Sequence, residues 1–348
     1  IPIDNTKNIG LCGMTNEFFC AYVNRLFLEK SQNILILTSS LYEANKIFSS
    51  LEKYNNSVLL FPMDDFLTSE SIAISPELKT VRLDTLNKLS NETPHIVVTH
   101  LNAYLRYLPN SKTYIKSEIS LKTGDIYCRD DLIEKLLNIG YKKETIVTNT
   151  GEVGIRGFVV DVYPINSENP VRIEYFGDEI DSIREFDSET QKSLREINNV
   201  TIAPNTEFLT DENIYIDYIT KSQKFLPGYN KNVVNINDYL NNPLVIVKDY
   251  SQIKISYQKL IDDIFQYKNL KDEKYTGEYM FSLDKVMVDD FIYYNTIDNY
   301  FENLPKNNIY NYNVKTVPMF SENIELVNDY LKKQLLDKKT IIIYLKSF

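Results

Sequence analysis

The segment NIGLCGMTNEFF (8–19) falls at the first βα turn of an alternating strand–helix pattern, the place where such a sheet receives a nucleotide's phosphates. A phosphate-binding P-loop needs glycines so that backbone N–H groups can wrap the phosphates. It also needs a lysine for their charge and a Ser or Thr hydroxyl for magnesium. Setting Gly10 and Gly13 on two of the motif's glycines puts Thr15 in place of a glycine, Asn16 in place of the lysine and Glu17 in place of the hydroxyl residue. Asparagine brings no charge, and glutamate repels a polyphosphate. Two glycines alone would support only a glycine-containing loop. The three replacements together favour a decayed P-loop that keeps the fold without the activity, and they argue against nucleotide binding.

Other reactive groups are scattered. Asp64-Asp65, Asp262-Asp263 and Asp289-Asp290 are adjacent carboxylate pairs. Neighbouring side chains point apart in strands and helices, so adjacency makes no general acid–base dyad, and solvated surface charge is the expected role. Cys12, Cys20 and Cys128, with His95 and His100, fit no zinc spacing, so no metal site is expected and all five read as structural or incidental. An odd, dispersed cysteine set suggests a reducing compartment. There is no Gly-x-Ser-x-Gly elbow and no HExxH.

A second constellation lies in GEVGIRGFVVDVYPINSENPVRIEYFGDEIDSIREFDSETQK (151–192). Gly177-Asp178 between strand-like runs signals a hairpin, and the whole stretch reads as a compact antiparallel sheet. With period two, PVRIEYF (170–176) turns Val171, Ile173 and Tyr175 to the core and Arg172, Glu174 and Phe176 the other way. An aromatic beside an arginine on a polar face is typical of interface hot spots. A phenylalanine covered by a neighbouring loop would give the same pattern, and physics alone leaves these two readings even. Arg156 shares parity with Phe158, Val160 and Val162, an apolar face, and Gly157 leaves room for a bulge that would turn it outward. Asp161, Glu174 and Asp181 lie near enough in sequence to orient the arginines.

The elements that must hold these groups follow from periodicity. NILILTS (33–39), SVLLFP (57–62) and HIVVTH (95–100) read as strands, and LYEANKIFSSLEKY (41–54) and PELKTVRLDTLNKL (76–89) as helices. Strands alternating with helices imply a parallel sheet with helices packed on it. DLIEKLLNIGY (131–141) reads as a helix ended by Gly140, NNVTIAP (198–204) and NPLVIVKD (242–249) as strands, QIKISYQKLIDDIFQYK (252–268) and 322–336 as helices, and TIIIYL (340–345) as a strand. No period emerges in the tyrosine- and asparagine-rich stretch 293–313. The 348 residues suffice for about two or three domains. No apolar run reaches the roughly 20 residues of a membrane span, and no leader is visible, so a cytoplasmic location and no membrane partner are expected. The net charge of −10 and the short basic clusters disfavour unaided DNA binding and favour a protein partner with a basic face. The first residues, IPIDN, lack a methionine, and the final helix and strand read as the opening of an unfinished α/β unit, so a fragment of a longer protein is expected.

The stretch 151–192 resembles the UvrA-binding domain shared by the excision-repair protein UvrB and the transcription-repair coupling factors, and the coupling-factor family fits best. Its replaced P-loop resembles that family's, whereas UvrB needs an intact one. The segment 61–86 also lacks the tyrosine-rich hairpin of UvrB. The resemblance implies an α/β fold with a P-loop-like parallel sheet and a degenerate nucleotide site over 1–115. It implies a small α+β antiparallel UvrA-binding domain over 116–203, a further α/β segment over 204–318, and the start of a following unit over 319–348. It implies that Arg156, Arg172 sixteen residues on and Phe176 four further contact UvrA. It further implies a non-catalytic recruitment role in transcription-coupled nucleotide excision repair, with other domains of the same protein as neighbours and no cofactor in this part. ATP, magnesium, RNA polymerase and DNA would engage C-terminal regions of the full-length translocase. A UvrB-like nucleotide-dependent damage-recognition component is the alternative.

Overall fold

The structure is a computed structural model that describes residues 8–64, 75–91, 93–210, 222–271, 274–287, 291–296, 301, 304–315, 317–318, 320 and 323–341. Seven parallel strands form the larger sheet: β1 (Ile9–Cys12), β2 (Ile34–Thr38), β3 (Val58–Phe61), β4 (Ile96–His100), β13 (Leu244–Lys248), β14 (Ile292–Tyr294) and β15 (Ile309–Asn311). Their spatial order is β15-β1-β14-β13-β2-β4-β3. The expected strands of 33–100 and the strand of 242–249 are all present, and strands from both ends of the chain share this one sheet. Every residue of β2 is buried, as a central parallel strand covered on both faces requires.

Helices α1 (Asn16–Lys30) and α2 (Leu41–Leu51) cover one face, burying Phe19, Val23, Ile47 and Leu51 against Ile34, Ile36 and Val98. Each opens on a hydroxyl cap: the Thr15 side chain accepts from the Phe18 N–H and the Ser40 side chain from the Glu43 N–H. Helix α3 (Pro76–Leu89) opens on Pro76, capped by Ser75, which fits proline's tolerance for the first helical turn. The strands at 292–294 and 309–311 fall in the stretch where no period emerges. At three residues each they are too short to display one. The expected strand 340–345 lies, from residue 342, outside the described residues.

After β4 the chain leaves the parallel sheet. It forms β5 (Ile119–Lys122), helix α4 (Arg129–Asn138) and a six-stranded sheet. That sheet consists of β6 (Lys142–Lys143), β7 (Glu152–Arg156), β8 (Val159–Val162), β9 (Val171–Phe176), β10 (Glu179–Phe186) and β11 (Ser193–Ile197), in spatial order β11-β10-β9-β8-β7-β6. Strand β12 (Asn199–Ile202) returns to pair with β5 before α5 (Tyr250–Lys271) and, later, α6 (Ile324–Leu336). One continuous apolar cluster joins the two sheets. It runs from Leu35, Leu37 and Val97 through Leu108 and Tyr114 to Leu121, Val160 and Ile173.

A buried ionic knot fastens the return of the chain. The Glu207 carboxylate, just beyond β12, accepts from Arg82 Nε at 2.8 Å on α3 and from Arg106 Nη2 at 2.8 Å after β4. Arg82 also donates to the Pro62 carbonyl, and Gln223 Nε2 donates to the Tyr107 and Glu207 carbonyls. Among the described residues no helix is long and apolar enough to cross a membrane.

Candidate docking site on the antiparallel sheet

Strand β9 alternates between buried Val171, Ile173 and Tyr175 and the outward-facing Arg172, Glu174 and Phe176, so its parity is as expected. Its hairpin to β10 turns at Gly177, whose φ of +66° is the left-handed value that a two-residue turn demands of its first position. In β10 the register shifts between Ile180 and Ser182, leaving Asp181 as an extra residue. That bulge keeps Glu179, Ser182 and Arg184 together on the outward face despite their mixed parity.

Arg156 is placed differently from the expectation. Residue 156 does not continue β8. It ends β7, opposite Val159, and Gly157 with φ +59° is part of the two-residue turn between the strands and not a bulge. Cross-strand partners share a face. Arg156 therefore sits with Val159 and Glu174 on the outward side, away from Val160 and Val162. The next row across the sheet is Asp161, Arg172 and Arg184.

These rows converge on one carboxylate. Asp161, only 1% exposed, accepts from Arg172 Nε at 2.7 Å and Nη2 at 2.9 Å, and from Arg156 Nη2 at 2.9 Å. Arg172 lies over the ring of buried Phe186, 4.7 Å from its centroid. Its hydrogen bonds to Asp161 hold the guanidinium proton above its ordinary pKa. Beside it Glu174 pairs with Arg184 and accepts from Ser182 Oγ at 3.1 Å. The Arg156–Asp161 pair is half open to water and contributes little to stability, so its effect is orientation. Phe176 stands at the end of this array, 80% exposed. The family resemblance marks Arg156, Arg172 and Phe176 but not Phe186 or Arg184, whose placement depends on the bulge at Asp181.

The segment with the replaced P-loop runs from β1 directly into α1. Gly10 lies inside β1 and not in the turn. Gly10 and Leu11 pair with β14 on one side and β15 on the other, so their backbone groups are used by the sheet. Only Gly13, Met14 and Thr15 separate the strand from α1. A Cβ at Gly13 would come within 2.2 Å of Asn311 Oδ1, and the Gly13 carbonyl accepts from Val314 N–H. Asn16 turns aside to donate to Ser50 Oγ, and Glu17 lies in the first turn of α1. At the carboxyl ends of β13 and β14, where open α/β sheets bind ligands, Lys248 Nζ bonds Glu43 at 2.8 Å and Asp249 at 2.7 Å. Asp249 in turn accepts from Thr296. This internal cation was not anticipated from the sequence, where Lys248 is simply the last residue of an apolar run.

His100 is buried and its Nε2 accepts the Met63 N–H, with burial pushing its pKa down to about 4. Cys12 and Cys20 are buried and Cys128 is half-buried. Among the described residues no group of three or more His, Cys, Asp or Glu could hold a metal ion. Of the carboxylate pairs, Asp65 and the Asp289-Asp290 pair lie outside the described residues.

Residues 119–208, which contain the whole array, match the UvrB interaction domain family model. The matched segment takes in the six-stranded sheet with β5 and β12. The chain is 36% identical over 201 residues to the transcription-repair-coupling factor of Bacillus subtilis (strain 168), covering 57% of this chain and 17% of that protein. It is 30% identical over 210 residues to that of Staphylococcus haemolyticus (60% and 18%), and 33% over 209 residues to that of Staphylococcus epidermidis (59% and 18%). Over this shared part the chain is similar to the transcription-repair-coupling factors. It spans under a fifth of the length of these relatives.

Proposed function

We propose that this chain is a non-catalytic docking module that recruits UvrA, in residues 116–203, through Arg156, Arg172 and Phe176. The observation that supports this best is the pairing of two arginines on one buried carboxylate beside an 80% exposed phenylalanine. A buried aspartate fixes the guanidinium groups before a partner arrives, which reduces the entropy lost on binding. An aromatic anchor with adjacent arginine matches the composition of interface hot spots. In the intact protein, an ATP-driven DNA translocase acting on stalled RNA polymerase, this module would bring UvrA to the lesion and start nucleotide excision repair.

Calorimetric titration of UvrA into the chain tests the reading. Wild type is expected to bind, and Arg172→Ala to bind about tenfold more weakly or worse while keeping its far-UV circular dichroism. A folded wild-type chain without affinity for UvrA would sink the proposal.

The same reading places ATP and magnesium in a motor elsewhere in the intact protein and none in this module. The sheet-paired Gly10 and Leu11, together with the Lys248–Glu43–Asp249 cluster, support that assignment. Titration with Mg-ATP is expected to give no saturable signal up to millimolar concentration, the upper end of ordinary nucleotide affinities. Micromolar saturation would instead favour a UvrB-like nucleotide-dependent component.

A further inference from the structure

Ile126 is 83% exposed, yet its backbone is firmly held. The segment 124–127 runs as an extra ribbon along the start of β10. Gly124 N–H donates to the Ile180 carbonyl at 2.8 Å, Ile180 N–H to Asp125 at 2.9 Å and Tyr127 N–H to Asp178 at 2.8 Å. Within that ribbon Ile126 pairs with Glu179 in antiparallel fashion, and Glu179 pairs with Phe176. The flanking bonds make Ile126–Glu179 a narrow, non-hydrogen-bonded pair, in which side chains stand closest. Ile126, Glu179 and Phe176 thus form one row across the outward face, with the carboxylate between two exposed apolar groups.

Single exposed apolar residues are ordinary on a protein surface. A β-branched side chain on a rigid edge ribbon, in the same row as an exposed phenylalanine and on the same face as two fixed arginines, is a different case. Its rotamers are restricted before contact, so little side-chain freedom is lost when it is covered. We propose that Ile126 is a second apolar anchor of the docking surface, and that UvrA covers the whole Ile126–Glu179–Phe176 row. This rests on the UvrA-docking reading and adds to it the chemistry of the occupant. The UvrA face must offer two apolar sockets, hydrogen-bond acceptors opposite Arg156 and Arg172, and a donor opposite Glu179. Continuity of the row with Phe176, the anchor of the docking reading, selects this occupant.

The test uses the full chain and purified UvrA. Ile126→Ser is expected to weaken binding about tenfold, a typical loss for a buried interface anchor, with an unchanged melting midpoint. Ile126→Thr, which keeps the β-branched backbone preference, guards against local loss of the ribbon and is expected to weaken binding as well. Leu270→Ser is the control, an equally exposed leucine on α5, and should bind as wild type does. If folded Ile126→Ser and Ile126→Thr bind like wild type while Phe176→Ala does not, Ile126 lies outside the interface and this inference is overturned, with the docking reading intact. If wild type itself fails to bind, both fall.

Discussion

Glu207→Ala is expected to lower the folding stability of this chain by about 3–5 kcal/mol, the usual loss when one partner of a buried ion pair is removed. Urea unfolding would show it as a lower midpoint at unchanged slope. The reason is that alanine leaves Arg82 and Arg106 facing each other in an apolar interior, both nearly inaccessible to water. Burial by itself would raise the Glu207 pKa. The charges of Arg106 and Arg82, with their hydrogen bonds, overcome that and hold it at about 2. A carboxylate with a lowered folded-state pKa contributes stability that is fully present above its unfolded value, and it loses that contribution as pH falls through the folded one. Wild type should therefore lose more stability than Glu207→Ala between pH 4.5 and about 2. Equal pH dependence in the two proteins would contradict this account.

Two phenylalanines ten residues apart should behave in opposite ways. Phe176→Ala is expected to weaken UvrA binding by about thirtyfold or more, the hot-spot range, while leaving the melting midpoint alone. Phe186→Ala is expected to cost about 3–5 kcal/mol of stability, because its ring is fully buried beneath Arg172. Its effect on binding would follow from the loss of support for that guanidinium. Both rings lie on the outward side of the sheet. Phe186 is fully buried, with the Arg172 guanidinium over its ring, whereas Phe176 is 80% exposed. If Phe176→Ala unfolds the chain, or if it is folded and binds UvrA unimpaired, the docking assignment fails.

The parallel strands and the β9–β10 hairpin were legible because period two and glycine-anchored turns are local properties of the chain. Arg172 and Phe176 were legible for the same reason. The exact setting of Arg156 was not, since whether Gly157 makes a bulge or a turn depends on which strand receives the next residue. The Arg82–Glu207–Arg106 knot was invisible because its partners are 125 and 101 residues apart, and no local pattern links them. The Lys248 cluster joins residues 205 apart for a comparable reason. Strands β14 and β15 escaped detection because neighbours in a sheet, not sequence alternation, define segments that short.

The apolar cluster shared by the two sheets has a geometric consequence. A module joined to its neighbour by a loose linker presents its cargo over a cone of directions, but one welded through a common core presents it along a single bearing. Whatever seats on Phe176 is thereby aimed with respect to the parallel sheet, and through that sheet to anything the sheet is anchored to. On the docking reading the antiparallel unit would act as a bracket of fixed angle, and a change in the reach of its cargo would have to come from movement of the whole two-sheet body.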